Sequence, residues 1–160
     1  MEREGVTMNC HTGLNSDLVR FIYQQKGSQP AATGDNLFQD PRRIQFMMAV
    51  CRAVANACEI FTYESAGTLV AALVTFRDGK VRRFYTIYFD QEWSRYSPGM
   101  VLLYEVTRRS LAAGLECDYM TGEHGYKLRF ATSVVPMYWA EASADTLASL
   151  GGVYRPALAA

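Results

Sequence analysis

The strongest chemical signal in this sequence lies around Ser97, where a buried strand is predicted to lead into a helix; the residues are Tyr96, Ser97, Pro98, Gly99, Met100 and Val101. Ser97 is a favoured N-cap, and Pro98 suits the first helical position because its missing N–H has no bond to make there. Gly99 would let a ligand approach the backbone closely. The N–H groups of Gly99, Met100 and Val101 are expected to lack helical partners, and the helix dipole adds partial positive charge. This end therefore predicts a phosphate or pyrophosphate site, or else only a well-capped helix start.

Charge and composition restrict the partners of the chain. Its 160 residues include 16 basic and 16 acidic side chains, so the molecule as a whole has no electrostatic attraction to nucleic acid or to anionic membranes. The sequence contains no apolar run long enough to span a bilayer. Two distant histidines and four cysteines without a C-x-x-C pair predict neither a metal site nor a Ser-His-Asp triad. Free thiols are typical of a cytoplasmic protein.

Two helices are predicted in the first third of the chain. The first ends at Gly27, where a polar and flexible loop, residues 27–36, begins. The second is opened by Asp40-Pro41, and its apolar face continues through Cys51 to Cys58. Both cysteines are therefore expected on one buried helical face.

A sheet is predicted in the middle of the chain. Asp78-Gly79 marks a hairpin between two β-rich runs, and strand 68–77 is apolar on both faces, as expected for a central strand covered by helices on either side. The pattern predicts an α+β (α/β) fold with a mixed, mostly antiparallel sheet. In chain order the elements are strands 59–64, 68–77 and 81–90, helix 98–113, strand 115–121, a short helix 125–130 and strand 132–140.

This order of elements resembles that of a Gcn5-related N-acetyltransferase (GNAT) domain, over about residues 14–141. In closer detail the chain resembles the CelD-like acetyltransferases, which are GNAT-like proteins associated with bacterial cellulose and exopolysaccharide synthesis. The most specific part is the pairing of Tyr96-Ser97-Pro98-Gly99 with a downstream G-x-x-x-Y-K, here Gly122 to Lys127. The usual Q/R-x-x-G-x-G/A pyrophosphate signature is absent. The other matching residues are Leu37-Phe38, Phe46, Val70-Ala71-Ala72, Tyr88-Phe89-Asp90, Gly114 and Asp118-Tyr119.

The resemblance implies candidate catalytic residues. Asp118 matches a recurring acidic position and would act as the base, since burial in its apolar strand is expected to raise its pKa. The alternative is that Asp118 pairs with a basic residue such as Lys127. Tyr126 would protonate the leaving sulfur, or would only pack, and Lys127 would contact a substrate phosphate or be structural. Glu123 and His124 are alternative bases.

The resemblance also implies a function. The chain would be an acyltransferase that moves an acyl group directly from acetyl-CoA or another acyl-CoA, without a metal, to an amine of a small molecule or saccharide precursor. Two alternatives remain open: a Fem-type transferase that uses aminoacyl-tRNA, against which the neutral charge argues, and a non-catalytic CoA-binding scaffold. We expect a cytoplasmic protein in which residues 1–13 are flexible, residues 14–141 form the domain and residues 142–160 form a tail. The oligomeric state is left open, a homodimer being one option.

Overall fold

A computed structural model of the chain describes residues 5–13, 15–29, 36–54, 56–122 and 124–138 and Ser143. The chain divides into two compact units, Met1–Glu123 and His124–Ala160, which are described separately. Most of the predicted loop at residues 27–36 lies outside the described residues. The predicted tail at residues 142–160 also lies outside them, apart from Ser143.

The first unit contains a five-stranded sheet with strands in sequence order. All neighbouring strands are antiparallel except the last two, which run parallel. This architecture confirms the predicted α+β class with a mixed, mostly antiparallel sheet flanked by helices. The strands are β1 (Val6–Thr12), β2 (Cys58–Ser65), β3 (Thr68–Asp78), β4 (Val81–Phe89) and β5 (Glu116–Asp118), and the helices are α1 (Ser16–Ser28), α2 (Pro41–Ala53) and α3 (Pro98–Ala112).

Two layers of helix cover the central strands. Because side chains alternate across a strand, β3 contributes Ala72 and Val74 to the core beneath α1 and α2, where Ile22 and Met47 are buried. The opposite face of the sheet contacts α3. The apolar side chains that α3 buries are Leu102, Leu103 and Val106. This arrangement fits the apolar character of both faces of β3.

The N-terminal residues differ from the expectation of a flexible segment. Residues Val6–Thr12 form β1 and pair with β2 from Val6↔Ser65 to Thr12↔Glu59. The strand is largely polar and exposed, so hydrophobic periodicity gave no signal for it. Its pairing depends on backbone bonds to β2, together with a contact of 3.2 Å between the His11 Nε2 and the Thr62 Oγ1.

The end of α1 is fixed by a residue that follows it in the sequence. Gly27 does not end the helix as predicted, because α1 continues to Ser28. The Asn36 side-chain amide donates to the carbonyl oxygens of Lys26 (2.9 Å), Gly27 (3.2 Å) and Gln29 (2.8 Å). A Cβ on Gly27 would lie 3.1 Å from a backbone oxygen of the next segment, so glycine permits the close approach of the 3₁₀ helix Leu37–Gln39.

The two cysteines expected on one helix lie on different elements. The helix α2 ends at Ala53, and Cys58 is the first residue of β2. The prediction that the helix reaches Cys58 is wrong because the chain turns after Val54, which is 40% exposed rather than part of a buried face. Both thiols are nevertheless buried, and the Cys51 and Cys58 Sγ atoms are 3.5 Å apart.

The second unit contains one described helix, α4 (Gly125–Phe130). The strand predicted at residues 132–140 is not found in its described part, since residues 131–138 have no regular secondary structure. The apolar side chains that suggested a strand are exposed there; they are Val134, Val135, Met137 and Tyr138. In the first unit, the strand predicted at residues 115–121 is shorter than expected, because β5 pairs with β4 only as far as Asp118.

Arg82 forms a buried ion pair that joins β4 to β2 and α3. Its guanidinium donates to the Glu59 Oε2 at 2.6 Å and to the Ser110 Oγ at 2.8 Å, and it lies over the Phe61 ring. The Arg82 side chain is 7% exposed, whereas that of its neighbour Arg83 is 41% exposed, since successive side chains point to opposite faces of the sheet.

We expect Arg82→Ala to lower the free energy of unfolding by about 3–5 kcal/mol, because the Glu59 carboxylate would stay buried without a counter-charge. The matched control is Arg83→Ala, which removes a half-exposed pair with Asp118 and should cost less than about 1 kcal/mol. Urea unfolding of both variants measures the difference. Equal losses would show that the burial of the Arg82 pair does not stabilise the fold.

Candidate active site

The strand β4 is paired unequally along its two edges. β3 pairs with it along its length, whereas β5 pairs with it only at Val81–Arg83, and no described strand continues along that edge. Backbone groups of successive residues point to alternate edges, and the Asp90 N–H bonds the Val70 oxygen on the β3 side at 2.9 Å. The backbone groups of Ile87 and Phe89 therefore face the side that β5 leaves open.

A β-bulge interrupts β4 where this edge is open. Val74 of β3 pairs with Thr86 and Thr75 pairs with Phe84, so Tyr85 is the extra residue. Bulges redirect side chains and often lie beside functional sites. Here Tyr85 and Thr86, although consecutive, both line one cleft. No sequence signal predicts the bulge, because the run from Val81 to Phe89 contains no glycine or proline.

The helix α3 begins against the end of the open edge. Pro98 and Gly99 are buried, and a Cβ on Gly99 would meet the Phe89 Cδ1 at 3.3 Å and the Ile87 Cδ1 at 3.4 Å. Gly99 was expected to let a ligand approach the backbone. The structure shows instead that its missing side chain lets α3 pack closely on β4.

The hydrogen bonds at the start of α3 also differ from the expectation. Ser97 occupies the N-cap position, but its φ is +49° and its hydroxyl makes no capping bond. The N–H groups of Met100 and Val101 both donate to the Ser97 carbonyl oxygen, at 2.9 and 3.1 Å. The prediction of three unpaired N–H groups is therefore wrong for these two, since the Ser97 oxygen lies within reach of both. The Gly99 N–H has no hydrogen bond to a described residue.

Aromatic and cationic side chains precede α3 on the short 3₁₀ helix Gln91–Tyr96. The Arg95 guanidinium donates to the Tyr96 hydroxyl at 2.6 Å and lies over the Tyr96 ring, and Trp93 packs beside it with ring centroids 5.8 Å apart. Arg95, which the sequence did not single out, brings a positive charge to the segment that leads into Ser97.

Asp118 ends β5 and binds two neighbours. Its Oδ2 accepts from Arg83 at 2.6 Å across the parallel ladder, and its Oδ1 accepts from the Met120 N–H at 2.7 Å. The sequence predicts that the Asp118 side chain is buried in an apolar strand, but 37% of it is exposed. Its basic partner is Arg83. These two hydrogen bonds hold the last residue of β5 against β4 at the point where their pairing ends.

Tyr126 and Lys127 lie on α4 in the second unit. The Tyr126 ring stacks on the His124 imidazole, with centroids 5.9 Å apart and ring planes at 18°. His124 occupies the N-cap position of α4 without a capping side-chain bond, and the Lys127 N–H donates to its carbonyl oxygen at 2.9 Å. Glu123 lies outside the described residues.

A lysine that the sequence did not single out reaches the open edge of β4. Lys26, in the last turn of α1, donates from its Nζ to the Ile87 oxygen at 2.7 Å and lies over the Phe38 ring at 4.6 Å. Burial lowers its pKa, and no described carboxylate pairs with it. A lysine in the last turn of a helix ordinarily lies in solvent and offsets the helix dipole, so its contact with β4 could not be predicted from its place in the sequence.

No cluster of His, Cys, Asp and Glu suited to a metal ion occurs among the described residues. None of the helices in the described part of the chain is long and apolar enough to cross a membrane.

The mixed, mostly antiparallel sheet with helices on both faces is the architecture of the GNAT acyltransferase fold. The family model described as "Acetyltransferase (GNAT) domain" matches residues 1–128, and the chain belongs to this family. The protein is thus an acyltransferase enzyme of a family whose members use acyl-CoA donors. No curated protein sequence matches the chain significantly.

Solved structures of several acetyltransferases share the fold. A possible acetyltransferase from Clostridium difficile 630 is 14% identical, with a TM-score of 0.60, and the match covers 88% of this chain and 99% of that one. An aminoglycoside acetyltransferase from an uncultured soil metagenomic sample, solved with sisomicin, is 14% identical with a TM-score of 0.53, covering 89% and 100%. The ribosomal-protein-S18-alanine N-acetyltransferase from Escherichia coli is 12% identical with a TM-score of 0.52, covering 78% and 74%. At these identities the likeness shows the fold alone.

We expect Ser97→Ala to change the free energy of unfolding by less than about 0.5 kcal/mol, because the hydroxyl makes no capping bond. The matched control is Asn15→Ala at the start of α1, where the Asn15 Oδ1 accepts from the Leu18 N–H at 3.1 Å. Loss of that cap should cost about 1 kcal/mol in the same chemical denaturation experiment. A loss at Ser97 as large as that at Asn15 would contradict the geometry described for α3.

Proposed function

We propose that the chain transfers an acyl group from acetyl-CoA or a related acyl-CoA to the amine of a small molecule or saccharide precursor. The observation that carries this proposal is the open edge of β4, which extends from the bulge at Tyr85 to the start of α3 at Gly99. The four residue-to-residue steps from Tyr85 to Phe89 span about 13 Å of extended strand. That edge offers backbone groups to an extended donor, with the anion-favouring end of a helix at its far end.

The donor's phosphates would bind at the residues around the start of α3. The Gly99 N–H and the Ser97 hydroxyl lack hydrogen bonds to described residues, and Arg95 supplies a nearby cation. Tyr96, Pro98, Met100 and Val101 complete the segment proposed for the donor. The dipole of α3, a helix of 15 residues, favours an anion at this end.

The proposed chemistry is a direct transfer. The acceptor nitrogen forms a bond to the acyl carbon, the C–S bond breaks, and the sulfur leaves as a thiolate that Tyr126 protonates. The proton of the attacking amine passes to Asp118 or to a water molecule. Backbone N–H groups on the open edge of β4 would polarise the thioester carbonyl. Lys127 is proposed to contact an anionic part of the substrate.

The finer assignment to CelD-like proteins is also a proposal. The pairing of Tyr96-Ser97-Pro98-Gly99 with the segment from Gly122 to Lys127 supports it, and it would place the chain in polysaccharide synthesis. Because acyl-CoA is a cytoplasmic metabolite, we propose a cytoplasmic location, which cell fractionation tests. The neutral overall charge still argues against a tRNA donor.

The donor site is tested by thermal unfolding with acetyl-CoA, free CoA, ATP and NAD, compared between Ser97→Glu and Ser97→Gln. At about 100 times its dissociation constant, a ligand should add roughly 2.7 kcal/mol of stability. Glu at a helix N-terminus favours the helix but repels phosphate, so Ser97→Glu should remain folded and lose the CoA-dependent shift. Ser97→Gln has the same size as Ser97→Glu without the charge, and it loses only the serine hydroxyl, so it should retain more of that shift than Ser97→Glu does.

A larger residue at Gly99 would be a poorer test, because it would also displace Ile87 and Phe89. A wild-type protein that no CoA species stabilises would overturn the acyl-CoA proposal. If CoA stabilises the two Ser97 variants equally, the phosphates do not bind at the start of α3.

Tyr126→Phe should lower kcat by about 10²–10⁴-fold with little change in the KM for acetyl-CoA, because the ring is kept and only the proton donor is removed. Tyr138→Phe, a change at a tyrosine that is 89% exposed, is the matched control and should have full activity. Steady-state release of the CoA thiol gives both constants. An unchanged kcat in Tyr126→Phe would exclude it as the general acid.

The same assay on Asp118→Asn, together with urea unfolding, distinguishes the two roles considered for Asp118, the catalytic base and the structural partner of Arg83. A lower kcat with unchanged stability would support the base. A lower stability with unchanged kcat would leave Asp118 as the partner that holds Arg83 and the Met120 N–H at the end of β5.

A further inference from the structure

An open cleft of about 570 Å³ lies on the α1 and α2 side of the sheet, next to the bulge in β4. Its lining is mostly aromatic and includes two arginines, and none of the lining residues is acidic. The lining residues are Tyr23, Phe38, Arg42, Arg43, Phe46, Tyr85 and Thr86. Because Tyr85 and Thr86 belong to the segment of β4 that β5 leaves open, the cleft adjoins the edge proposed for the donor.

The two arginines of the cleft have different partners. Arg42 is held by Asp40, whose Oδ1 and Oδ2 accept from its Nε at 3.0 and 3.1 Å and whose Oδ2 also accepts from its Nη2 at 2.9 Å. The charge of Arg42 is thereby balanced. The Arg43 side chain makes no ion pair and no hydrogen bond with a described residue, although the Asp40 carboxylate acts on it electrostatically from a longer distance. Since this one carboxylate is bonded to Arg42, the two arginines and Asp40 together leave a net positive charge beside the cleft.

A second unbalanced cation lies behind one wall of the cleft. The Lys26 ammonium contacts the Phe38 ring, which lines the cleft, and its bond to the Ile87 oxygen supplies no negative charge. In a chain whose total charge is zero, Arg43 and Lys26 together make this region locally positive. Arg43 is exposed, whereas Lys26 is half-buried, and a half-buried cation without a counter-charge is unfavourable. An anionic ligand would therefore gain free energy here.

We propose that this cleft binds an acceptor that carries its amine together with a carboxylate or phosphate group, with Arg43 as the residue that binds the anionic group. The inference rests on the acyltransferase function proposed above and specifies its acceptor. The aromatic walls, Tyr23, Phe38, Phe46 and Tyr85, provide flat apolar surfaces for the ring or chain of such a molecule. A guanidinium binds carboxylate and phosphate with two parallel hydrogen bonds, which suits either group.

The same charges favour the reactive form of the acceptor. A positive environment lowers the pKa of a bound amine, so more of it is uncharged and able to attack the thioester. Polycationic amines such as aminoglycosides would be repelled by Arg43 and Lys26. The cleft thus selects against the acceptors whose charge lies entirely in amines.

The test compares Arg43→Gln with wild type on two pairs of acceptors at saturating acetyl-CoA. Phenylalanine and phenylalaninamide differ in the carboxylate, and glucosamine 6-phosphate and glucosamine differ in the phosphate. We expect the wild-type enzyme to prefer the anionic member of one pair, and Arg43→Gln to raise the KM for that member by about 10- to 100-fold. The KM for its neutral partner and for acetyl-CoA should not change. The pair that responds identifies the anionic group.

The matched control is Arg52→Gln, at an exposed arginine in the last turn of the same helix, and it should leave all these constants unchanged. Acceptor affinity is also measured by calorimetry, so that a molecule that binds without reacting is still detected. The proposal is overturned if neither anionic amine binds better than its neutral partner, or if Arg43→Gln does not weaken it, while acetyl-CoA still stabilises the protein. If no CoA species stabilises the wild-type protein, the proposed donor site is overturned instead.

Discussion

β4 is held by β3 along its length and by β5 over only three residues, and the features proposed as functional follow from this difference. Where β5 ends, at Asp118, one edge of β4 is left without a described strand, and the bulge at Tyr85 lies just beyond that point. An unpaired strand edge is normally a liability that invites association. Here it is partly occupied by the Lys26 ammonium, which bonds the Ile87 oxygen without closing the edge with another strand. An extended donor molecule could form hydrogen bonds with the backbone groups of β4 that β5 does not reach.

The two ends of this edge are built by different kinds of close packing. At one end, Gly99 lets the first turn of α3 pack closely on the Ile87 and Phe89 side chains, so the N-terminal end of the helix, with its partial positive charge, lies against the strand. At the other, Asn36 caps the carbonyls at the end of α1 and brings Phe38 against Gly27, which sets Phe38 over Lys26. The regions proposed for the donor and the acceptor therefore both lie at ends of α-helices that are fixed by local packing and hydrogen bonds.

The sequence predicted the parts of this site that depend on local signals. Helix 98–113 was placed within one residue of its observed end, since Pro98 and Gly114 mark its limits in the sequence itself. The bulge at Tyr85, the position of Lys26 and the strand β1 were missed because each depends on pairing between distant segments. A polar strand such as Val6–Thr12 forms only because β2 offers it an edge. Ser97 shows a further limit, since its residue type fits an N-cap but the preceding 3₁₀ helix leaves it at a positive φ.

Charge restricts what the proposed acceptor region could bind more strictly than its shape does. The chain has equal numbers of acidic and basic side chains, and some of its arginines are paired with a carboxylate, as Arg82 is with Glu59 and Arg83 is with Asp118. Arg43 and Lys26 form no such ion pair with a described residue, and Arg43 lines the cleft while Lys26 contacts its Phe38 wall. Desolvation of Lys26 without a counter-charge opposes folding, so a ligand that brings an anion near it would stabilise the protein. An amine that carries its own anionic group would suit the proposed site, since the anion would balance Arg43 while the Lys26 ammonium would still favour the uncharged amine.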